Sequence, residues 1–115
     1  LLETASVAKE HLEFDVELPV ERVHELCRTV VAERRWFVDE LGASRLMVRT
    51  GQPGNVIKAP PISISIGLQA ENSGTRVRLD GKFPGKFGTW ARNDIRKRLV
   101  AFRESLEYEV KTLRP

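Results

Sequence analysis

The sequence predicts a single-domain α+β protein of two layers, an antiparallel sheet with one short helix and a long C-terminal helix across one face. Three observations predict it. Apolar and polar residues alternate over residues 10–18, 45–49, 62–70 and 75–80, which is the period of a strand with one dry and one wet face. The last third of the chain steps by threes and fours instead, a sustained helical stripe. And 115 residues, 41% of them apolar and 30% charged, are enough for one core but not for two.

In chain order, Leu12, Phe14, Val16 and Leu18 alternate with His11, Glu13, Asp15 and Glu17, so residues 10–18 read as the first strand. Pro19 presets φ for a helical turn, Glu21 suits a helix N-terminus, and Val20, Val23, Cys27, Val30 and Val31 recur at helical spacing. A helix over about residues 19–34 follows, with Cys27 in its buried stripe. Trp36, Val38 and Leu41 fit either a short strand or the frayed end of that helix. Residues 45–49 form a strand with Leu46 and Val48 on one face. Residues 50–61 hold Gly51, Pro53, Gly54, Asn55, Pro60 and Pro61 and read as a loop.

The strongest alternation sets Ile62, Ile64, Ile66, Leu68 and Ala70 against Ser63, Ser65, Gly67 and Gln69. Asn72, Ser73 and Gly74 supply a turn into Thr75, Val77 and Leu79, so these two strands form a hairpin. Beyond the turn residues Gly81, Pro84 and Gly85, and around Gly88, come Phe87, Ala91, Ile95, Leu99, Phe102, Leu106, Val110 and Leu113 at helical spacing, with Thr89 fit to cap the start and an earlier start left open. A helix of that span is roughly 37 Å long and crosses the whole sheet.

Charge is distributed unevenly. The net of +3 is mild, but residues 82–103 carry seven basic side chains against Asp94 alone, a local net of +6, whereas residues 10–25 carry a net of −5. Opposite charges favour pairing of the first strand with the strand over residues 75–80, placing Glu13, Asp15 and Glu17 near Arg76 and Arg78. One cysteine forbids an internal disulfide or a multi-cysteine metal site, and only His11 and His24 offer imidazole. No cofactor or metal is implied. No apolar stretch is long enough to span a bilayer and no signal pattern opens the chain, which points to the cytoplasm, although a start at Leu1 leaves a removed leader open.

Three local features carry a family resemblance: Pro19-Val20-Glu21-Arg22-Val23 after the first strand, the hairpin Ser73-Gly74-Thr75-Arg76-Val77, and Phe87-Gly88-Thr89-Trp90-Ala91-Arg92-Asn93 opening the last helix. With the element order, they resemble the SRPBCC superfamily of helix-grip domains, which includes START-like lipid carriers and polyketide cyclases. The resemblance spans residues 10–113. It implies a sheet order that pairs the first strand with the strand over residues 75–80, the pairing that the charges favour. It also implies an N-terminal extension over residues 1–9, one SRPBCC-like domain over residues 10–115, and a hydrophobic small molecule held between the sheet and the last helix. Larger members have two helices after the first strand and more sheet strands. In a chain this short, side chains filling that space are an equal alternative.

On that reading the ligand would meet Ile64, Ile66 and Leu68 of the sheet and Ala91, Leu99 and Phe102 of the helix, with Phe87 and Trp90 at the mouth and small residues such as Ala91 and Gly67 leaving room. Lys86 or Arg92 would meet an acidic head group. The rival reading, from another class, is an interaction module in which Lys86, Arg92 and Arg96 dock a phosphate-bearing or acidic partner at the basic helix start. Residue types favour binding over catalysis without excluding an activity: neither histidine has a nucleophile beside it in sequence, and Cys27 reads as an ordinary buried thiol. Gly81 to Lys86 is one residue short of a Walker loop and lacks its Ser or Thr, and the G-x-x-G at Gly51 to Gly54 follows a strand, unlike that of KH domains. Nucleic acid is a poor partner because aromatics are only 7% of the chain and most lie in apolar stripes. A homodimer is open to a half-covered sheet, although its polar face argues against a dry sheet-to-sheet contact.

Overall fold

The first strand lies earlier than its alternation suggests. In the computed structural model, which describes residues 7–42, 44–50, 62–84 and 88–113, β1 spans Val7–Val16 instead of residues 10–18. Its early end has a cause: Thr75 donates its hydroxyl hydrogen to the Leu18 carbonyl at 2.7 Å and draws the chain off the sheet. Helix α1, Val20–Glu33, then begins one residue later than expected, with Pro19 as an extended N-cap (φ −67°, ψ 158°) whose carbonyl accepts from the Arg22 and Val23 amides. Val23, Leu26, Cys27, Val30 and Val31 are its buried stripe.

The end of α1 settles the alternative left open at Trp36. Arg35 adopts a left-handed conformation (φ 58°), its amide donates to the Ala32 carbonyl, and the Trp36 amide donates to the Val31 carbonyl, both at 3.0 Å. This is a Schellman closure built without glycine, so the usual sequence mark of a helix stop is missing. The chain turns straight into β2, Phe37–Gly42, which is a strand and not a frayed helix end. β3 is Arg45–Arg49 and β4 is Ser63–Glu71. The loop expected over residues 50–61 lies, beyond Thr50, outside the described residues. Its stem is fixed, because the Thr50 amide donates to the Ile62 carbonyl (2.9 Å) and the Ile62 amide donates to the Thr50 hydroxyl (3.1 Å).

β5, Gly74–Pro84, continues through Gly81, where the sequence suggested that the strand had ended. Among the described residues the sheet has five strands in the order β1-β5-β4-β3-β2, every neighbouring pair antiparallel. β1 and β5 pair as the charges predict, with Glu13 opposite Arg78 and Asp15 opposite Arg76. Helix α2 is Gly88–Leu113, so Thr89 falls inside its first turn and is not the cap.

One face of the sheet is apolar and α1 and α2 cover it. Phe14 and Val16 of β1, Leu46 and Val48 of β3, Ile64, Ile66 and Leu68 of β4, and Val77, Leu79 and Phe83 of β5 are buried there, against Ala91, Ile95, Leu99, Phe102 and Leu106 of α2. The stripe runs out before its expected end: Val110 is half-buried and Leu113 is 43% exposed. The two helices are tied together by Trp36, whose ring stacks on Phe102 at 6.3 Å, and by Arg34, which donates to the Ala101 carbonyl and the Ser105 hydroxyl.

Candidate functional site

The place where the sequence puts a ligand is the seam between the sheet and α2. Alternation on β4 and the three-and-four spacing on α2 do bring Ile64, Ile66, Leu68, Ala91, Leu99 and Phe102 into one core cluster. Ile64, Ile66 and Phe102 have no accessible surface, and Ala91 and Leu99 have 1%. Zero accessibility means that no water-sized gap touches those side chains, so the middle of the seam is dry and filled. Phe87 and Lys86 lie outside the described residues, and of Trp90 only the helical backbone is described.

Of the two small residues expected to leave room, Gly67 is on the wrong face. It stands with Ser63 and Ser65 on the outer side of β4, where a Cβ would meet nothing within 4 Å. The glycine that shapes the seam is Gly81, where a Cβ would run into Ile95 Cγ2 and lie 3.5 Å from Leu99 Cδ2. It admits α2 close to β5. A glycine in mid-strand is the sequence signal for such an approach, and the turn-like run Gly81, Pro84, Gly85 concealed it.

The seam has one distinctive end. β3 finishes at Arg49, β4 starts at Ser63 opposite both Arg49 and Lys82, β5 finishes at Pro84 opposite Val7, and α2 begins at Gly88. Ile62, Phe83, Ala8 and Ala91 close the core at this end and are buried. Around it Lys82 and Arg92 are exposed.

The basic side of α2 is largely neutralised. Arg96 meets Glu10 at 3.0 Å, Arg98 meets Asp94 at 3.3 Å, and Arg103 meets Glu107 at 3.1 Å while lying over the Phe14 ring. Of the three residues expected to bind an anion, Arg96 is therefore already paired. On the outer face of the sheet Arg78 meets Glu13 at 2.8 Å and Asp80 at 2.9 Å, and Arg76 meets Asp15 at 3.3 Å and Glu71 at 3.5 Å. Both guanidinium pKa values are raised, that of Arg76 first by the charge of Glu71 and that of Arg78 first by the hydrogen bond it donates to Asp80.

The groups suited to chemistry are scattered. His11 is exposed on β1 opposite Asp80, whereas His24 is half-buried on α1, its Nε2 without a hydrogen-bond partner among the described residues. Cys27 is buried, and desolvation pushes its thiol up to about 12. Among the described residues no three His, Cys, Asp or Glu side chains gather as a metal set, and no helix is long and apolar enough to cross a membrane.

No family model matches the sequence, and no curated protein matches it. Solved structures do. Ara h 8.0201 superimposes with a TM-score of 0.63 at 12% identity, over 92% of this chain and 99% of that one. CalU16 from Micromonospora echinospora gives 0.61 at 15% identity, over 95% and 82%. The di-domain ARO/CYC protein StfQ from the steffimycin biosynthetic pathway gives 0.54 at 14% identity, over 93% of this chain and 50% of that one. Five antiparallel strands gripping a long C-terminal helix, with these neighbours, give the chain an α+β helix-grip fold shared with those structures.

Proposed function

We propose that the domain is a non-enzymatic binder of a small apolar or amphipathic molecule, held between the sheet and α2. The observation that carries this reading is the apolar stripe of α2 lying along the apolar face of the sheet, in a fold shared with an ARO/CYC protein of a biosynthetic pathway. Because the middle of the seam is filled, the ligand enters at the end closed by Ile62, Phe83 and Ala91, next to Phe87 and Trp90 in sequence, and it parts Leu99 and Phe102 only if it reaches deeper. Arg92, exposed and without an ion pair among the described residues, would meet an acidic head group. An apolar lining with a few polar groups at the mouth is the usual make-up of a small-molecule site.

Native mass spectrometry of freshly purified protein tests this. A co-purified lipid-like or polyketide-like mass supports it. A clean apo mass, together with no uptake of amphipathic carboxylates, overturns it. The second reading, docking of a phosphate-bearing or acidic partner, rests on exposed Lys82, Arg92 and Lys97, which have no ion pair among the described residues. It is the weaker one because Arg96, Arg98 and Arg103 are already engaged.

A further inference from the structure

β1 is an edge of the sheet. β5 lies along one side of it, and among the described residues no strand pairs with the other side, which leaves the outward-pointing backbone groups of alternate residues along a ten-residue strand available. The strand is self-complementary about Leu12. Antiparallel pairing with a second copy, about a two-fold axis at Leu12, sets Lys9 opposite the partner's Asp15, His11 opposite the partner's Glu13, and Ala8 opposite the partner's Val16. Moving the axis to Glu10 or Glu13 sets a carboxylate against its own copy, and moving it to His11 pairs Lys9 with the partner's Glu13 but sets His11 against its own copy and leaves Asp15 facing the partner's Val7. Of these registers, the one at Leu12 gives both Lys9 and His11 a carboxylate without opposing like charges. Lys9 is exposed with no ion pair among the described residues, and the Asp15 side chain, though bonded to Arg76, is 67% exposed, so the two can meet across the axis with Arg76 keeping its bond.

A second observation concerns α2. Arg96 reaches Glu10 and Arg103 lies over Phe14, so Val100, between them on the same side of the helix, is level with Leu12. Val100 is 38% exposed and Leu12 only half-buried. A two-fold axis at Leu12 brings these two apolar residues against the same two of the other copy, on the helix side of the sheet. One operation thus satisfies the open edge, the unpaired lysine and the exposed valine.

We propose that the chain forms a two-fold homodimer through β1, joining two five-stranded sheets into one of ten strands. This rests on the edge and its charges and is independent of any ligand in the seam. Sedimentation velocity of the full chain across a micromolar concentration series, at low salt, should show a dimer. Leu12→Cys should give a disulfide-linked dimer on mild oxidation, because directly opposed residues have Cα atoms about 4.5–5.5 Å apart, within the reach of a disulfide. Buried Cys27 does not compete. Lys9→Glu, at an exposed position, should weaken the dimer about tenfold, and adding Asp15→Lys should restore it by exchanging the pair. A monomer at every concentration overturns the proposal. So does a dimer that neither links through Leu12→Cys nor responds to Lys9→Glu, which would place the interface elsewhere.

Discussion

A methyl group added at Gly81 would run into Ile95 Cγ2 and press on Leu99, whereas one added at Gly67 would stand in open space on the other face of the sheet. Overpacking a filled seam costs about 1–3 kcal/mol, while replacing an unhindered strand glycine removes unfolded-state freedom at no steric cost. Gly81→Ala should therefore lower the denaturant midpoint, and Gly67→Ala should leave it unchanged or raise it slightly. Equal midpoints in the two variants would show that α2 does not rest on β5. Cys27 gives a second test at this scale. Burial raises its pKa from 9.0 to about 12, so between those values the unfolded chain has lost the thiol proton and the folded chain keeps it. The unfolded state then binds fewer protons, and stability falls as pH rises, by on the order of 1 kcal/mol per pH unit across that window from this group alone. Chemical denaturation at a series of pH values should show this decline, and Cys27→Ala should flatten it relative to wild type. The native thiol should also resist alkylation near pH 8, where thiolate is the reactive form.

At the scale of elements, α2 is the part on which the fold most depends. Leu99→Ala or Phe102→Ala should each cost on the order of 2–5 kcal/mol, because both side chains sit in the closed seam. Leu113→Ala, at the exposed end of the same stripe, should cost less than about 0.5 kcal/mol. Unfolding curves that do not rank the variants this way would mean that the helix packs differently. The same stripe shows what sequence could and could not reveal. Wherever one face is wet and the other dry the period is unambiguous, which is why β3, β4 and α2 were legible. The β1–β5 pairing was legible because the charges of Glu13 and Asp15 complement those of Arg78 and Arg76 and agree with the sheet order that the family resemblance implies. Illegible features were those in which tertiary contact overrides local preference. Gly81 reads as a turn until a helix lies against it, and Arg35 in a left-handed conformation stops α1 where no glycine announces an end. Of the candidate site, periodicity on β4 and α2 foretold that Ile64, Ile66, Leu68, Ala91, Leu99 and Phe102 share one cluster, but it carries no information on whether a seam is filled or hollow. It did not reveal that Ile64, Ile66 and Phe102 leave no space between them.

For the molecule as a whole, ionic strength separates the two functional readings. A net charge of +3 is spread over a surface on which most arginines of α2 and β5 are already matched by carboxylates, so little unbalanced field remains to draw an acidic partner. Apolar burial in the seam scales with area and is insensitive to screening, whereas a surface charge contact weakens as the Debye length shrinks from about 10 Å at 0.1 M salt to about 3 Å at 1 M. We expect a fluorescent long-chain carboxylate titrated into the protein to bind with an affinity that changes by less than about threefold between 0.05 and 0.5 M salt, since only its head group feels the ions. Arg92→Glu should weaken that binding modestly through the head group. Leu99→Ala, by opening space in the seam, should strengthen it if the variant remains folded, because an apolar cavity stays dry and accepts apolar guests. Affinity that collapses with salt and with Arg92→Glu together, and is indifferent to Leu99→Ala, would mean that the probe lies on the basic face of α2 and that the docking reading is the right one.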